Sequence, residues 1–228
     1  MTETRRERVP GEGLIPTRGP RHVVGDHGPL VGVLALQGDV LEHLSMLASA
    51  GARAVPVKRS EQLDDLDGLL IPGGESTTIG KLAVLYGLLE PMRKRIADGL
   101  PVFGTCAGAI LLSRRALSAA GEPSEQPLLE AMDTQVRRNA FGRQVRSFEA
   151  DLDIDGVDGG PMHAVFIRAP WFEECGRDVE ILAAAATPAG AKVVVARQGA
   201  LLASAFHPEL AGDDRLHRLF VQMVRKER

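Results

Sequence analysis

Three uninterrupted apolar runs, each ending at a glycine-rich or small-residue turn, constrain the fold of this chain most tightly. They are LVGVLAL (Leu30 to Leu36), DGLLI (Asp67 to Ile71) and LPVFGT (Leu100 to Thr105). Runs of this length without alternation read as strands buried on both faces. The sequence between them has helical character. GDVLEHLSMLASAG places Val40, Leu44 and Leu47 on one helical stripe, and Gly51 suits a C-terminal stop. ARAVPV adds another strand, PGGESTT leads into helical sequence through Tyr86, and AGAILLSRRAL reads as a helix. Strands alternating with helices imply a parallel sheet with covering helices. The pattern changes after Ala116. SAAGEPSEQP is a turn-rich loop. VRRNAFGRQVRSFEADLDI, MHAVFIRAP, VEILAAAA, KVVVARQGA and LLASAFHP then read as strands with little helix between them. The end, DDRLHRLFVQMVRKE, is an amphipathic helix with Leu216, Leu219, Phe220 and Met223 on its apolar stripe. The expectation is an α/β protein whose mostly parallel central sheet gains antiparallel additions in its C-terminal half.

The chain has 228 residues, 44% hydrophobic and 25% charged, which suits a soluble globular domain with a substantial core. A net charge of −3 gives no nucleic-acid footprint. No apolar run approaches the roughly 20 residues of a membrane span. Two cysteines, Cys106 and Cys175, suggest no disulfide framework, so a reducing cytoplasm is expected. Cys175, in EECGRD, is expected in a surface loop and is given no role. Residues 1–29 hold TRRER and a Gly/Pro-rich run with no period of strand or helix. They read as a disordered or extra arm, leaving residues 30–228 as one domain.

The chemistry centres on Gly104-Thr105-Cys106-Ala107-Gly108. This G-x-C-x-G stretch has the form of a nucleophile elbow, in which a sharp strand-to-helix turn exposes the side chain. A helix N-terminus also favours thiolate, and backbone N–H groups at such a turn can hold an oxyanion. A tight turn around a small core residue would satisfy the same pattern. A cysteine nucleophile needs a base, and the base an orienter. Of six histidines, His22 and His27 lie in the arm. His43 and His217 lie inside expected helices, where surface or packing roles suffice, and His163 begins a strand. His207 ends an apolar strand and is followed by Pro208-Glu209, so Cys106 and His207 both fall at strand carboxyl ends, where ligands collect in such sheets. An ordinary surface turn is the competing reading of His-Pro-Glu. Pro72-Gly73-Gly74-Glu75-Ser76-Thr77 also follows a buried strand, and its glycines permit close backbone approach to a ligand. It lacks the Gly-Lys-Ser/Thr of a P-loop.

FGTCAG, PGGEST and a late HPE, in that order, resemble a class I (triad-type) glutamine amidotransferase. More narrowly, VGVLALQGDVLEH, LDGLLIPGGESTT, VFGTCAGAILL, RRNAFGRQVRSFEADL, VFIRAP and SAFHPEL together resemble the glutaminase subunit family of pyridoxal 5′-phosphate synthase, from about Leu30 to the C-terminus. The resemblance implies a flavodoxin-like three-layer fold. It implies that Cys106 attacks the side-chain amide of glutamine, that His207 is the base and Glu209 its orienter. Gly74, Glu75, Ser76, Arg138, Ile167 and Arg168 would line the L-glutamine site, with backbone amides of Gly74 and Ala107 as oxyanion donors. Ammonia would pass to a synthase (lyase) subunit in a hetero-oligomeric complex. The resemblance implies no cofactor and no metal for this chain, and neither nucleic acid nor membrane as partner. The 118–133 loop looks longer than the family pattern and lacks its Gly-Leu-Leu/Met turn.

Three other readings fit part of the pattern: a class I glutaminase serving another synthase, a catalytically silent scaffold subunit, and a cysteine hydrolase of the same fold. RNAFGRQ and FIRAP argue against the first, and an intact Cys106, His207 and Glu209 against the second. Hydrolases of the third kind lack the late His-Pro-Glu. Finally, ALQGD joins the first buried strand to the first helix, beside the loops of Cys106 and Gly74. Gln37 is therefore a candidate for gating by the partner, with a plain helix cap as the alternative.

Overall fold

A computed structural model of the chain describes residues 23–141, 147–187 and 190–227. In chain order the strands are β1 (Leu30–Leu34), β2 (Arg53–Val57), β3 (Gly68–Ile71), β4 (Val102–Thr105), β5 (Ser113–Leu117), β6 (Met132–Arg137), β7 (Ser147–Leu152), β8 (Met162–Ile167), β9 (Trp171–Cys175), β10 (Glu180–Thr187), β11 (Gly190–Gln198) and β12 (Leu201–Ser204). The helices are α1 (Val40–Ser49), α2 (Ser76–Leu85), α3 (Leu89–Ala97), α4 (Ala107–Leu112) and α5 (Arg215–Lys226).

Ten strands form one sheet in the order β2-β1-β3-β4-β12-β11-β9-β6-β5, with β10 paired to β11 off this path. The run β2-β1-β3-β4-β12 is parallel throughout, and β11, β9 and β10 add antiparallel pairings. Every residue of β3 and β4 is buried, which is why their sequences do not alternate. The two faces nevertheless separate residue by residue. Leu34, Leu69, Ile71 and Val102 join the core packed by α2, α3 and α4. Val31, Val33, Leu70 and Phe103 join the core packed by α1 and α5. The result is the three-layer α/β architecture expected, with the antiparallel β7–β8 pair as a small second sheet.

The chain turns outward from β1 to β2 on one side and from β3 to β4 on the other. A crevice opens at the carboxyl ends where that direction reverses, the place such sheets bind ligands. The β1–α1, β3–α2, β4–α4 and β12 loops all open there.

Several expectations are corrected. AGAILLSRRAL is helical only to Leu112, and Ser113 to Leu117 are strand β5, parallel to β6. Ser113 Oγ donates to Ala109 O (2.9 Å) and accepts from Thr134 Oγ1 (2.8 Å), so it closes the helix and docks the new strand. Arg114 and Arg115 then point outward to Asp133 and Glu174. Cys175 ends β9, opposite Thr134 of β6, and does not lie in a loop. Strand character does not run on from Val136, because Arg138 to Phe141 form a turn before β7; residues 142–146 lie outside the described residues. Helix α3 was not anticipated. Most of the arm expected over residues 1–29 lies outside the described residues, but its end does not: Val24 pairs antiparallel with Ala54 through two backbone hydrogen bonds of 2.9 and 2.7 Å.

Candidate active site

Cys106 stands between β4 and α4 at φ 47° and ψ −99°, a conformation that L-residues rarely adopt. The flanking glycines explain how the turn closes. A Cβ on Gly104 would come within 2.5 Å of Gly108 C, and a Cβ on Gly108 within 2.0 Å of Ile71 O. Without side chains there, α4 can press against β3 and β4, and all six of its residues are buried. Ala107 opens the helix, so its N–H is among those that α4 leaves unpaired.

His207 follows β12, which pairs in parallel with β4 through Ser204 and Thr105. Adjacent strand ends therefore deliver the thiol and the imidazole side by side. His207 Nδ1 lies 2.8 Å from Glu209 Oε1, and Asp39 Oδ2 approaches the same nitrogen at 3.4 Å. Burial works against charge on His207, but hydrogen bonds with Cys106 and Glu209 outweigh it and raise its pKa to about 10. Burial likewise opposes charge on Glu209, yet the hydrogen bond with His207 and the imidazole of His43 3.4 Å away hold it well below the usual carboxylate range. Burial and the neighbouring Glu209 push Asp39 upward.

The β3–α2 loop forms the facing wall. The Cα of Gly73 lies against the His207 ring, where a Cβ would meet Cε1 at 2.4 Å. Gly74 sits at φ 148°, open to glycine alone at little cost. The Glu75 carboxylate caps α2, accepting from Thr77 N (3.1 Å), Thr78 N (2.7 Å) and Thr78 Oγ1 (2.8 Å). Burial opposes its charge, but these bonds prevail and lower its pKa to about 2. Ser76 Oγ donates to Gln126 Oε1 at 3.1 Å, so the unusual 118–133 loop packs under this wall. Gln37 does not cap α1. Its Oε1 accepts from Glu75 N at 2.7 Å and thus ties the β1–α1 loop to the β3–α2 loop.

A cavity of about 500 Å³ lies among these loops. Cys106, His207, Gly74, Glu75, Ser76, Arg138, Ile167, Arg168 and Gln37 line it. Glu209 stands behind His207, buried, and Ala107 lies below Cys106. The two arginines differ. Arg138 donates to Glu75 Oε1 (2.9 Å) and Ser124 Oγ (3.3 Å), whereas no hydrogen bond or ion pair engages Arg168 among the described residues. Arg168, at φ 45°, is exposed at the cavity.

The sequence reading missed Asp39, Asn139, Ile110 and Leu210, which also line the cavity. It left His43 and His217 to surface or packing roles; both are fully buried, which excludes the surface role, and they stand behind Glu209. The acidic residue of ALQGD and the helix positions of both histidines were the only signals for them. Asp39, His207 and Glu209 could each offer a ligand atom to one ion. Glu209 Oε1 and His207 Nδ1 are, however, bonded to each other, so a metal would have to displace that bond.

Residues 33–226 match the model of the SNO glutamine amidotransferase family. A relative from Frankia alni, named pyridoxal 5′-phosphate synthase subunit PdxT, is 59% identical over 198 residues, covering 87% of this chain and 96% of its own. A relative of the same name from Rhodococcus jostii is 56% identical over 200 residues, covering 86% of this chain and 98% of its own. A solved glutamine amidotransferase structure is 51% identical, with a TM-score of 0.78 over 86% of this chain and 98% of that one. A GMP synthase component from Thermoplasma acidophilum, at 19% identity and TM-score 0.58 over 88% of this chain and 96% of that one, shares the fold. With the family model spanning nearly all of the described domain, this chain belongs to the SNO glutamine amidotransferase family.

Proposed function

We propose that this chain is the glutaminase subunit of a pyridoxal 5′-phosphate synthase, hydrolysing L-glutamine to L-glutamate and ammonia through Cys106, His207 and Glu209. The observation that carries the reading is the Cys106–His207–Glu209 line at one edge of a cavity with room for glutamine, on a strained elbow. With the proton held on His207, Cys106 Sγ attacks the side-chain amide carbon. The oxyanion that forms is held by the N–H groups of Gly74 and Ala107. His207 then gives its proton to the leaving nitrogen, and ammonia departs, leaving a thioester. A water loses a proton to His207 and attacks the thioester carbon, and glutamate leaves as Cys106 is regenerated.

The α-carboxylate of glutamine needs a planar donor. Arg168, whose guanidinium no hydrogen bond or ion pair engages among the described residues, suits that role better than Arg138, which is held by Glu75. Arg138 instead fixes the wall containing Glu75 and Ser76, and Ile167 supplies an apolar side. Ammonia would pass to the synthase partner through an interface closed to water. No helix among the described residues is long and apolar enough to cross a membrane.

The test is glutamine hydrolysis by the chain with and without its cognate synthase, followed by pyridoxal phosphate formation from glutamine. Glutamate release with transfer to that synthase is expected. Release without transfer, or transfer only to another synthase, would overturn the pathway assignment.

A further inference from the structure

We propose that His43 and His217 form a buried two-imidazole chain that positions Glu209 and, through it, His207. The inference rests on the triad reading above. His43 comes from α1 and His217 from α5, and both are fully buried. Their rings meet at 2.9 Å, His43 Nδ1 to His217 Nε2. His43 Nε2 lies 3.1 Å from Thr105 Oγ1 and 3.4 Å from Glu209 Oε2. Glu209 Oε1 is already engaged by His207. Oε2 is buried and has no hydrogen-bond partner among the described residues. A buried carboxylate oxygen is seldom left without a donor, and His43 is the group that faces it.

The partners fix where the protons go. His217 Nδ1 is buried without a partner among the described residues. Orphaned N–H donors are rarer in protein interiors than under-used acceptors, so we assign the His217 proton to Nε2, which donates to His43 Nδ1. His43 then carries its own proton on Nε2, aimed at Glu209 Oε2 and Thr105 Oγ1. Each donor in the chain points toward the carboxylate. The reverse polarity would orphan an N–H at one end and set a lone pair against a carboxylate oxygen at the other. Burial, assisted by the neighbouring His43, lowers the His217 pKa to about 3, so that ring is neutral at the far end of the chain.

The consequence lies in the reaction. Charge on His207 is matched by Glu209, which must stay ionised and face Nδ1. A donor at Oε2 keeps it ionised and stops it from rotating. The other ionisable groups facing this set are Cys106 across the imidazole, Asp39 beside His207 with Glu42 behind it, and Asp213 near His217. All of them are retained when His43 is changed.

The test compares His43→Leu with His43→Gln in the full chain. Glutamine can place an N–H where imidazole Nε2–H stood; leucine cannot. Alkylation of Cys106 by iodoacetamide against pH, on the isolated chain, needs neither glutamine nor synthase. The acid limb of that profile should move up by about one pH unit in His43→Leu. With synthase present, kcat should fall roughly tenfold or more while KM stays within about threefold. His43→Gln should recover most of both. A folded His43→Leu with the wild-type profile and kcat would overturn the proposal, as would equal losses in the two variants. Should His43→Leu not fold, 15N spectra of the wild-type histidine rings decide the matter. Protons on Nε2 of both His43 and His217 are expected, and a proton on His43 Nδ1 refutes the chain. If the wild-type complex hydrolysed no glutamine, the proposed function would fall, while the alkylation and ring-proton results would still judge the histidine pair.

Discussion

At Cys106 the backbone is held at φ 47° by packing on both sides, with the glycines pressed against β3 and α4. Alanine fits that bend as well as cysteine does. Cys106→Ala should therefore abolish glutamate release while shifting the melting temperature by no more than about 2 °C, a stability change under about 1 kcal/mol. Near-normal hydrolysis would refute the nucleophile assignment. His207→Ala should lose more turnover than Glu209→Gln, by roughly tenfold or more, because the base is indispensable while an orienter is partly replaced by packing. The order would be reversed if the roles were wrongly assigned. The His207 pKa also sets a pH dependence of stability. It is raised above the ordinary 6.5 to about 10, so the proton stabilises the fold fully below about pH 6.5, and that contribution is lost as pH rises through about 10. Cys106→Ala removes one partner that raises it. The decline in melting temperature across that window should be shallower in the variant than in the wild type, and parallel curves would count against the coupling. The meeting of Cys106 and His207 was legible because motif spacing put both at strand ends, with Glu209 two residues further on. His43 and His217 were not, since a histidine in a helix looks the same whether it meets water or a buried carboxylate. What brings them together is the packing of α1 against α5 and β4, and no local pattern records that.

Among the elements, the parallel core was legible because uninterrupted apolar strands and helical stripes are strong, local signals. The switch from α4 to β5 was not. AGAILLSRRAL keeps helical spacing throughout, and what redirects the chain is its pairing with β6, together with the hydrogen bond that Ser113 Oγ accepts from Thr134 Oγ1, 21 residues away in sequence. Strand β9 was hidden for the same reason, since EEC alternates only once it is paired with β6. The α4 contact itself offers a test. Gly108→Ala would drive a Cβ to 2.0 Å from Ile71 O, so α4 must lift off β3. A loss of about 1–3 kcal/mol is expected, lowering the melting temperature by at least about 2 °C, together with reduced turnover because Cys106 moves with the helix. Unchanged stability would show that the elbow tolerates more room than its packing suggests. At the sheet edge, β2 is met by Val24 through two backbone hydrogen bonds. A chain beginning at residue 27 should be less stable than one beginning at residue 23 by about 1–3 kcal/mol, at about 0.5–1.5 for each bond. Equal melting temperatures for the two truncations would remove Val24 from the fold's account.

On the scale of the whole molecule, the crevice joins two loops that belong to opposite sides of the sheet's switch point, and Gln37 bridges them. Its Oε1 holds Glu75 N at 2.7 Å and sits against Gly74, while Gly73 O lies where a Cβ on Gly38 would be, at 1.8 Å. Because a trans peptide points its N–H opposite to its C=O, the seat of Gly73 O against Gly38 sets which way the Gly74 N–H faces, and the Gln37 bridge holds the adjoining Gly74–Glu75 peptide. A glutaminase that worked without its synthase would release ammonia to solvent. Control by the partner would therefore act most economically on this one peptide, and docking beside the β1–α1 loop would reach it through Gln37. The expectation is that the isolated chain hydrolyses glutamine slowly and that the synthase raises turnover. A coupling of about 1–3 kcal/mol corresponds to roughly 5–150-fold if it acts on binding. Gln37→Ala removes the acceptor for Glu75 N, so the loop is no longer set by the partner's approach. Its response to the synthase should shrink by roughly fivefold or more, although the complex still forms by sedimentation. Hydrolysis measured for wild type and Gln37→Ala, each alone and with synthase, decides it. An isolated wild-type chain as active as the complex ends the gating idea, and a variant that responds like wild type removes Gln37 from it.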